Sequence, residues 1–230
     1  MTHRERIITA LDMPTIEGAE ALVALLGDEG AFYKIGYQLF PLGGYGLARR
    51  LVERDKKVFI DAKLLDIGST VEKGVRSLTE IGAHLLTVHA DTDAIKGAVQ
   101  GRGDSHLKIL AVTVLTSWDQ AAVDRHGIDA TVQDLVLRRA EMALEAGADG
   151  LIASAKEAPM LRERFGSDPL IITPGIRPKG AAAGDQKRIV TPAEAIRNGA
   201  SALVIGRPIT KADDPKSAMQ AILKELDEAL

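Results

Sequence analysis

The stretch FIDAKLLDIGST, residues 59–70, places an acid, a base and a second acid where an apolar run ends. Its first residues predict a buried β-strand, and Asp61, Lys63 and Asp66 follow. Because strand side chains alternate between faces, we expect Asp61 and Lys63 on one face and Ala62 on the other. A lysine flanked by carboxylates stays protonated. Such a lysine suits the stabilisation and protonation of a carbanion better than Schiff-base formation, which needs a neutral amine.

The alternative interpretation of these three charges is a structural ion-pair network. Two other features favour a functional site. Lys34 places a second cation late in the preceding apolar run, and Gly206-Arg207 follows the last one. A polar, Gly-rich segment at 175–190 adds several groups that could hold phosphate: Arg177, Lys179, Gln186, Lys187 and Arg188. A solvated basic loop is the alternative for that segment.

Eight short apolar runs must position these residues. They predict strands at 6–12, 31–36, 57–63, 85–90, 108–116, 150–154, 170–175 and 202–206, with amphipathic helical patterns between them. Eight β/α alternations in 230 residues predict a single-domain (β/α)₈ TIM barrel spanning residues 1–230. The competing fold, a doubly wound open sheet, usually has a Gly-rich loop after its first strand, whereas here that strand ends in Leu11-Asp12.

Local signals mark both ends of several helices. Gly-Ala steps at 82–83, 147–148 and 199–200 precede strands, and each glycine suits the left-handed end of a helix. Ser69 with Glu72, and Thr191 with Glu194, fit capping boxes, and Pro192 suits a first helical position.

Composition excludes several classes of protein. Apolar residues make up 46% of the chain and aromatic residues only 3%, which suits buried parallel strands covered by helices. A net charge of −3 with mixed signs gives no basic field for nucleic acid. There is no cysteine, no apolar run of membrane-spanning length and no signal core in MTHRERIITALD. We therefore expect a soluble, cytoplasmic protein that binds neither nucleic acid nor membrane.

Polar residues collect where the predicted strands end, which is where barrels of this kind carry their active sites. Asp12, His89 and Thr116 end the first, fourth and fifth strands. His89 is a possible metal ligand or base, but no matching histidine or carboxylate lies at ligand spacing, so packing or hydrogen bonding at the barrel rim is the favoured interpretation.

Taken in order along the chain, these motifs resemble those of bacterial orotidine 5′-phosphate decarboxylases. The resemblance covers nearly the whole sequence. The D-x-K-x-x-D core is shared with a related sugar-phosphate decarboxylase, and TPGIRP with GDQKRIVTP makes the likeness specific. The matching segments are ITALD (8–12), YKIG (33–36), FIDAKLLDIGST (59–70), TVHA (87–90), VTVLTS (112–117), TPGIRP (173–178), GDQKRIVTP (184–192) and VIGRPI (204–209).

The resemblance implies a barrel homodimer that shares its active sites, uses no metal or organic cofactor and converts orotidine 5′-monophosphate (OMP) to UMP, the last step of de novo pyrimidine synthesis. It implies that Lys63 stabilises and protonates C6 of the pyrimidine once CO₂ has left, with Asp61 beside the substrate carboxylate. Lys34 and the partner's Asp66 complete an alternating Lys–Asp–Lys–Asp array.

The same resemblance assigns the substrate contacts. Asp12 and Lys34 contact the ribose hydroxyls, and Thr70 crosses the dimer interface. Thr116 meets the pyrimidine edge, with Ser117 as the alternative that strand register disfavours. The remaining substrate-binding positions are Asp61, Ile67, and, on the phosphate side, Arg177, Gln186, Gly206 and Arg207.

Two other functions stay open at this point. A metal-dependent decarboxylase of a keto-sugar phosphate would need an additional acidic ligand near the array, but Leu64 and Leu65 separate Lys63 from Asp66. A non-catalytic nucleotide-binding barrel would be expected to have lost part of the charged array, and here both the array and the phosphate residues are present.

Overall fold

The computed structural model describes residues 1–178 and 190–227. Within them, eight parallel strands close into a barrel in sequence order, with β8 paired to β1. The strands are Ile7–Ala10 (β1), Phe32–Ile35 (β2), Lys57–Leu64 (β3), Leu85–His89 (β4), Lys108–Val112 (β5), Gly150–Ile152 (β6), Leu170–Thr173 (β7) and Ala202–Ile205 (β8). The predicted (β/α)₈ barrel is confirmed, and the closing pair excludes an open sheet.

Helices cover the outside of the barrel. They are Ile16–Leu26 (α1), Gly44–Val52 (α2), Gly68–Thr79 (α3), Thr92–Arg102 (α4), Gln120–Arg125 (α5), Val132–Glu145 (α6), Ala158–Phe165 (α7), Pro192–Arg197 (α8), Arg207–Thr210 (α9) and Pro215–Asp227 (α10), with short 3-10 turns at Arg4–Arg6 and Phe40–Leu42. Of the helices in the described ranges, none is long and apolar enough to cross a membrane.

Two apolar layers follow from the alternation of strand side chains. In β1, Ile8 and Ala10 belong to the cluster that fills the barrel, whereas Ile7 and the following Leu11 pack in the larger shell beneath the helices. Ala, Leu, Val and Ile supply most of both clusters. Small and branched side chains can fill such layers without many aromatic residues, which explains the low aromatic content.

Most of the predicted helix boundaries are confirmed. Thr191 accepts a hydrogen bond from the Glu194 N–H at 3.3 Å, and α8 begins at Pro192. The glycines at 82, 147 and 199 have φ values of 77°, 98° and 99°, in the left-handed region.

The predicted cap at Ser69 is wrong, because α3 already begins at Gly68 and has no side-chain cap. Gly68 lies so close to α4 that an added Cβ would be 2.9 Å from the Asp93 carbonyl oxygen. The helix starts two residues earlier than the Ser69-Glu72 spacing indicates, with Ile67 at the N-cap position. Glu72 instead pairs with Arg76 along the helix at 2.5 Å.

Strand β5 is shorter than its apolar run predicts. It ends at Val112, the residue paired with Ile152 at the end of β6. Thr113 still donates to the Ile152 carbonyl, at 3.3 Å from its N–H and at 2.9 Å from its hydroxyl, and residues 114–116 then continue as a loop. Thr116 therefore lies in that loop and not at the end of a strand.

Candidate active site

The end of β3 forms the charged part of the site. Lys63 Nζ donates to Asp61 Oδ1 at 2.7 Å, and both side chains line the cavity at the carboxyl end of the barrel. Ala62, between them, packs in the outer shell instead. The register between β3 and β4 shifts at this point, and Lys63 adopts a positive φ of 46°. The side chains of Asp61 and Lys63 therefore lie on one face, as in a regular strand. The backbone of Lys63, however, departs from strand conformation.

Lys34 links this pair to Asp12. Its ammonium lies 3.0 Å from Asp12 Oδ1 and 3.3 Å from Asp61 Oδ2. The contacts form a continuous array in which acid and base alternate: Asp12, Lys34, Asp61 and Lys63. Only 8% of Lys34 is exposed, so solvent screens its contacts weakly.

Charge pairing decides the ionisation of the two inner members of the array. Burial disfavours both charged forms, but the neighbouring opposite charges outweigh it. Asp61 and Asp12 raise the pKa of Lys34, and Lys34 and Lys63 lower the pKa of Asp61, with hydrogen bonds from Lys63 and Thr87 contributing. Both groups are therefore ionised at neutral pH.

The cavity lined by this array has a volume of about 260 Å³. Apolar side chains from the top of the barrel interior line its floor: Ala10, Phe59, Val112, Ile152 and Val204. Thr116 lines it from the loop after β5, whereas Ser117 is not among its lining residues. The mixture of an apolar floor with a few converging polar groups is typical of small-molecule sites.

The residues that follow β7 and β8 complete the lining, and they include two arginines: Pro174, Gly175, Arg177, Gly206, Arg207 and Thr210. Arg177 is 9% exposed and donates from Nη1 to the Ile176 carbonyl at 2.8 Å, while its backbone N–H donates to Val190 at 3.0 Å. Gly206 precedes α9, and the exposed Arg207 begins it. The predicted Gln186, with Lys179, Lys187 and Arg188, lies outside the described residues.

Comparison with known proteins agrees with this geometry. The Orotidine 5′-phosphate decarboxylase / HUMPS family matches residues 5–222. The chain belongs to this family. The resemblance inferred from the motifs is thereby confirmed, and it extends over nearly the whole barrel.

Individual relatives are similar over almost their full length. An orotidine 5′-phosphate decarboxylase of Methylorubrum extorquens (strain PA1) is 54% identical over 98% of this chain and 97% of its own. One from Rhodopseudomonas palustris (strain BisB5) is 55% identical over 98% and 96%. The crystal structure of orotidine 5′-phosphate decarboxylase from Lactobacillus acidophilus superposes with a TM-score of 0.84 at 38% identity, covering 96% of this chain and 98% of that one. These relatives are carboxy-lyases by name.

Three positions that the orotidine 5′-phosphate decarboxylase family implies lie away from this cavity. Asp66 is exposed, and its Oδ1 accepts a hydrogen bond from the Ile67 N–H at 2.7 Å. Ile67 and Thr70 are exposed as well. Among the described residues that line the cavity, none of the three occurs. One chain therefore brings together Asp12, Lys34, Asp61 and Lys63, but not Asp66.

His89 is half-buried at the end of β4. Burial, together with the positive charges of Lys63 and Arg139, lowers its pKa, so the imidazole is neutral at pH 7. Within residues 1–178 and 190–227, no group of three or more histidines, aspartates or glutamates is arranged to hold a metal ion. Packing or hydrogen bonding at the rim remains the prediction for His89.

Thr87 in β4 was not predicted from the sequence as part of the site. This threonine is fully buried, accepts from the Lys63 N–H at 3.0 Å and donates to Asp61 Oδ1 at 2.9 Å. The only sequence signal is a polar residue inside the apolar run LLTVH, two positions before His89. Threonine is common in strands for its shape alone, so that signal does not distinguish a role in the site.

Proposed function

We propose that this chain decarboxylates OMP to UMP and so completes de novo synthesis of the pyrimidine nucleotide. The Asp12–Lys34–Asp61–Lys63 array carries the proposal, because it fixes the Lys63 ammonium in a partly apolar cavity, where that charge can stabilise a developing carbanion. The names of relatives that match nearly end to end support OMP as the substrate. We further propose that the whole chain is one catalytic domain acting in the cytoplasm without a metal or organic cofactor.

The proposed reaction centres on Lys63. The bond between C6 and the carboxylate carbon breaks, CO₂ leaves, and the electron pair stays on C6. The ammonium of Lys63, held by its 2.7 Å bond to Asp61, stabilises that charge and transfers one proton to C6. Lys63 then recovers a proton from solvent. Because the array is ordered before the substrate arrives, little reorganisation is needed as the charge develops.

The remaining described residues of the cavity would bind the rest of the nucleotide. Asp12 and Lys34 would contact the ribose hydroxyls, and Thr116 the pyrimidine edge. Arg177, Gly206 and Arg207, with Gln186 from outside the described residues, would hold the phosphate. Arginine suits that position because its planar fork matches phosphate oxygens.

We also propose that two chains share their active sites, with Asp66, Ile67 and Thr70 serving the partner. An apolar surface beside Asp66 supports this arrangement. Tyr37, Leu65 and Ile67 follow the neighbouring strands β2 and β3 and are exposed by 63%, 60% and 70%. Tyr45 and Leu42 are exposed nearby in sequence, and Phe40 contacts both Tyr37 and Tyr45. Exposed apolar surfaces of this kind often mark protein interfaces.

A spectrophotometric assay with OMP tests the function directly, and we expect activity to survive exhaustive chelation. The sequence contains no cysteine, and the two residues between Lys63 and Asp66 are leucines rather than an additional acidic ligand. Matched samples should be dialysed with and without EDTA, and Mg²⁺ then added back to each. Loss of activity with chelator and recovery with Mg²⁺ would move the assignment to the metal-dependent relative, and no OMP turnover in either sample would refute the proposed function.

Replacing Arg207 with alanine is expected to weaken use of the phosphorylated substrate. Hydrogen bonds to charged groups contribute about 1.5–3 kcal/mol, so kcat/KM for OMP should fall roughly 10- to 150-fold. Part of the loss should appear in kcat, because binding energy from a remote group can be used at the reacting carbon. Orotidine, which lacks the phosphate, should be almost insensitive to the same change.

Arg197→Ala is the matched control, since Arg197 is an exposed arginine near the end of α8 that does not line the cavity. Its kinetics with OMP should equal those of the wild type. Equal losses for OMP and orotidine in Arg207→Ala would show that Arg207 does not bind the phosphate.

A further inference from the structure

A bulge at the end of β3 gives Lys63 an unusual backbone. Ile60 pairs with Leu86 and Leu64 with Val88, so four steps along β3 correspond to only two along β4. Lys63 lies within this bulge at a φ of 46°. The left-handed region is unfavourable for a residue with a side chain and persists where surrounding contacts enforce it. Bulges beside active sites often redirect a side chain.

Two side chains take over the hydrogen bonds that the ladder loses in the bulge. The Thr87 hydroxyl accepts from the Lys63 N–H at 3.0 Å. The Tyr37 hydroxyl donates to the Ala62 carbonyl at 2.9 Å. The bulge is therefore bonded on both sides, by a buried residue of β4 and by an exposed residue that follows β2.

Thr87 differs from Tyr37 in that it also contacts the charged pair. Its hydroxyl donates to Asp61 Oδ1 at 2.9 Å, and the same oxygen accepts from Lys63 Nζ at 2.7 Å. A backbone N–H can only donate and an ionised carboxylate can only accept. One hydroxyl in one orientation satisfies both, and it thereby connects the backbone of Lys63 to the carboxylate that holds its ammonium.

We propose that Thr87 is a positioning residue that holds Lys63 in its left-handed conformation and aims its ammonium at the reacting carbon. The identity of the reacting carbon rests on the proposed function, but the effect of Thr87 on the conformation of Lys63 does not. Thr87 is not among the residues lining the cavity, so it acts through Lys63 and Asp61 rather than on the substrate.

The test compares variants that differ in the hydroxyl. Thr87→Val keeps the shape and removes the hydroxyl, Thr87→Ala is a smaller hydroxyl-free variant in case valine prevents folding, and Thr87→Ser keeps the hydroxyl. Thr9→Val is the matched control, because Thr9 is a fully buried strand threonine whose hydroxyl makes no hydrogen bond to any described residue. Steady-state kinetics with OMP should be measured for all four and for the wild type.

We expect the hydroxyl-free variants to lose kcat about 10- to 100-fold, since small displacements of a reacting group can cost this much. Their KM should change less than about threefold, because the residues proposed to bind ribose and phosphate are unaltered. Thr87→Ser should retain kcat within about threefold of the wild type, and Thr9→Val should match it. A general loss of stability would instead leave the kinetics of the folded fraction unchanged.

Crystal structures of Thr87→Val or Thr87→Ala separate this inference from the proposed function. We expect Lys63 to leave the left-handed region and its ammonium to move away from Asp61 Oδ1. If Lys63 keeps its conformation and its contact with Asp61, the positioning role is refuted, whichever substrate the enzyme uses. Unchanged kcat in the hydroxyl-free variants would also overturn it, whereas failure of the wild type to turn over OMP would refute only the proposed function.

Discussion

Replacing Lys63 with alanine is expected to lower kcat for OMP by at least about 10⁴-fold, because it removes both a fixed positive charge and a general acid. A positioned charge is typically worth about 10²–10³-fold and general acid catalysis about 10²–10⁴-fold. Lys34 cannot replace it, because Lys34 already bridges Asp12 and Asp61 at 3.0 and 3.3 Å.

The Lys63→Ala protein should remain folded. Asp61 keeps its contact with Lys34 at 3.3 Å and its hydrogen bond from Thr87 at 2.9 Å, so no buried carboxylate is left without a partner. The lysine side chain is partly exposed, and such ion pairs contribute about 1 kcal/mol or less, which corresponds to a Tm change of roughly 2–4 °C in a chain of this size. Circular dichroism and thermal unfolding would measure both properties.

Lys57→Ala is the matched control for this experiment. Lys57 begins the same strand at the opposite end of the barrel, where it pairs with Glu5 at 2.9 Å. The Lys57→Ala protein should lose a comparable ion pair but keep nearly all of its activity. Turnover near the wild-type rate in a folded Lys63→Ala protein would contradict the proposed mechanism.

The sequence predicts the barrel well because its strands are nearly continuous apolar runs. Runs such as LLTVH and ALVIG are buried on both faces, so each strand can be recognised as a short apolar segment. Eight such segments predict a closed barrel. The charged residues were predictable for a related reason. A charged side chain at the end of such a run is expected at the rim of the barrel, because burial in the apolar interior is costly. Asp61 and Lys63 could therefore both be assigned to the rim.

Features that depend on the pairing of two strands were not predictable. The bulge at Lys63 appears only when β3 is aligned with β4, and the role of Thr87 follows from that alignment. The start of α3 at Gly68 likewise depends on its contact with Asp93 at the start of α4. Local spacing contains no information on such contacts, so the Ser69 signal gave the wrong boundary.

The proposed sharing of active sites predicts that two inactive variants should restore each other. Lys63→Ala lacks the proposed proton donor, and Asp66→Asn lacks the charge proposed to serve the partner's Lys63. In a mixed dimer, one site collects both defects, while the other combines an intact Lys63 with the partner's intact Asp66. Random exchange makes about half of the dimers mixed, so roughly a quarter of all sites should recover by two-fold symmetry.

Mixing Lys63→Ala with Lys34→Ala is the matched control. Both lysines contact Asp61 within one chain, Lys63 at 2.7 Å and Lys34 at 3.3 Å, so every site of a mixed dimer keeps one defect and no activity should return. Mass spectrometry of differently tagged subunits would establish that exchange has occurred. Asp66 is exposed and bonded to its own loop, which is the position expected of a residue that acts on another chain. If exchange is complete and the Lys63→Ala and Asp66→Asn mixture still recovers nothing, Asp66 does not act across the interface and the shared site must be abandoned.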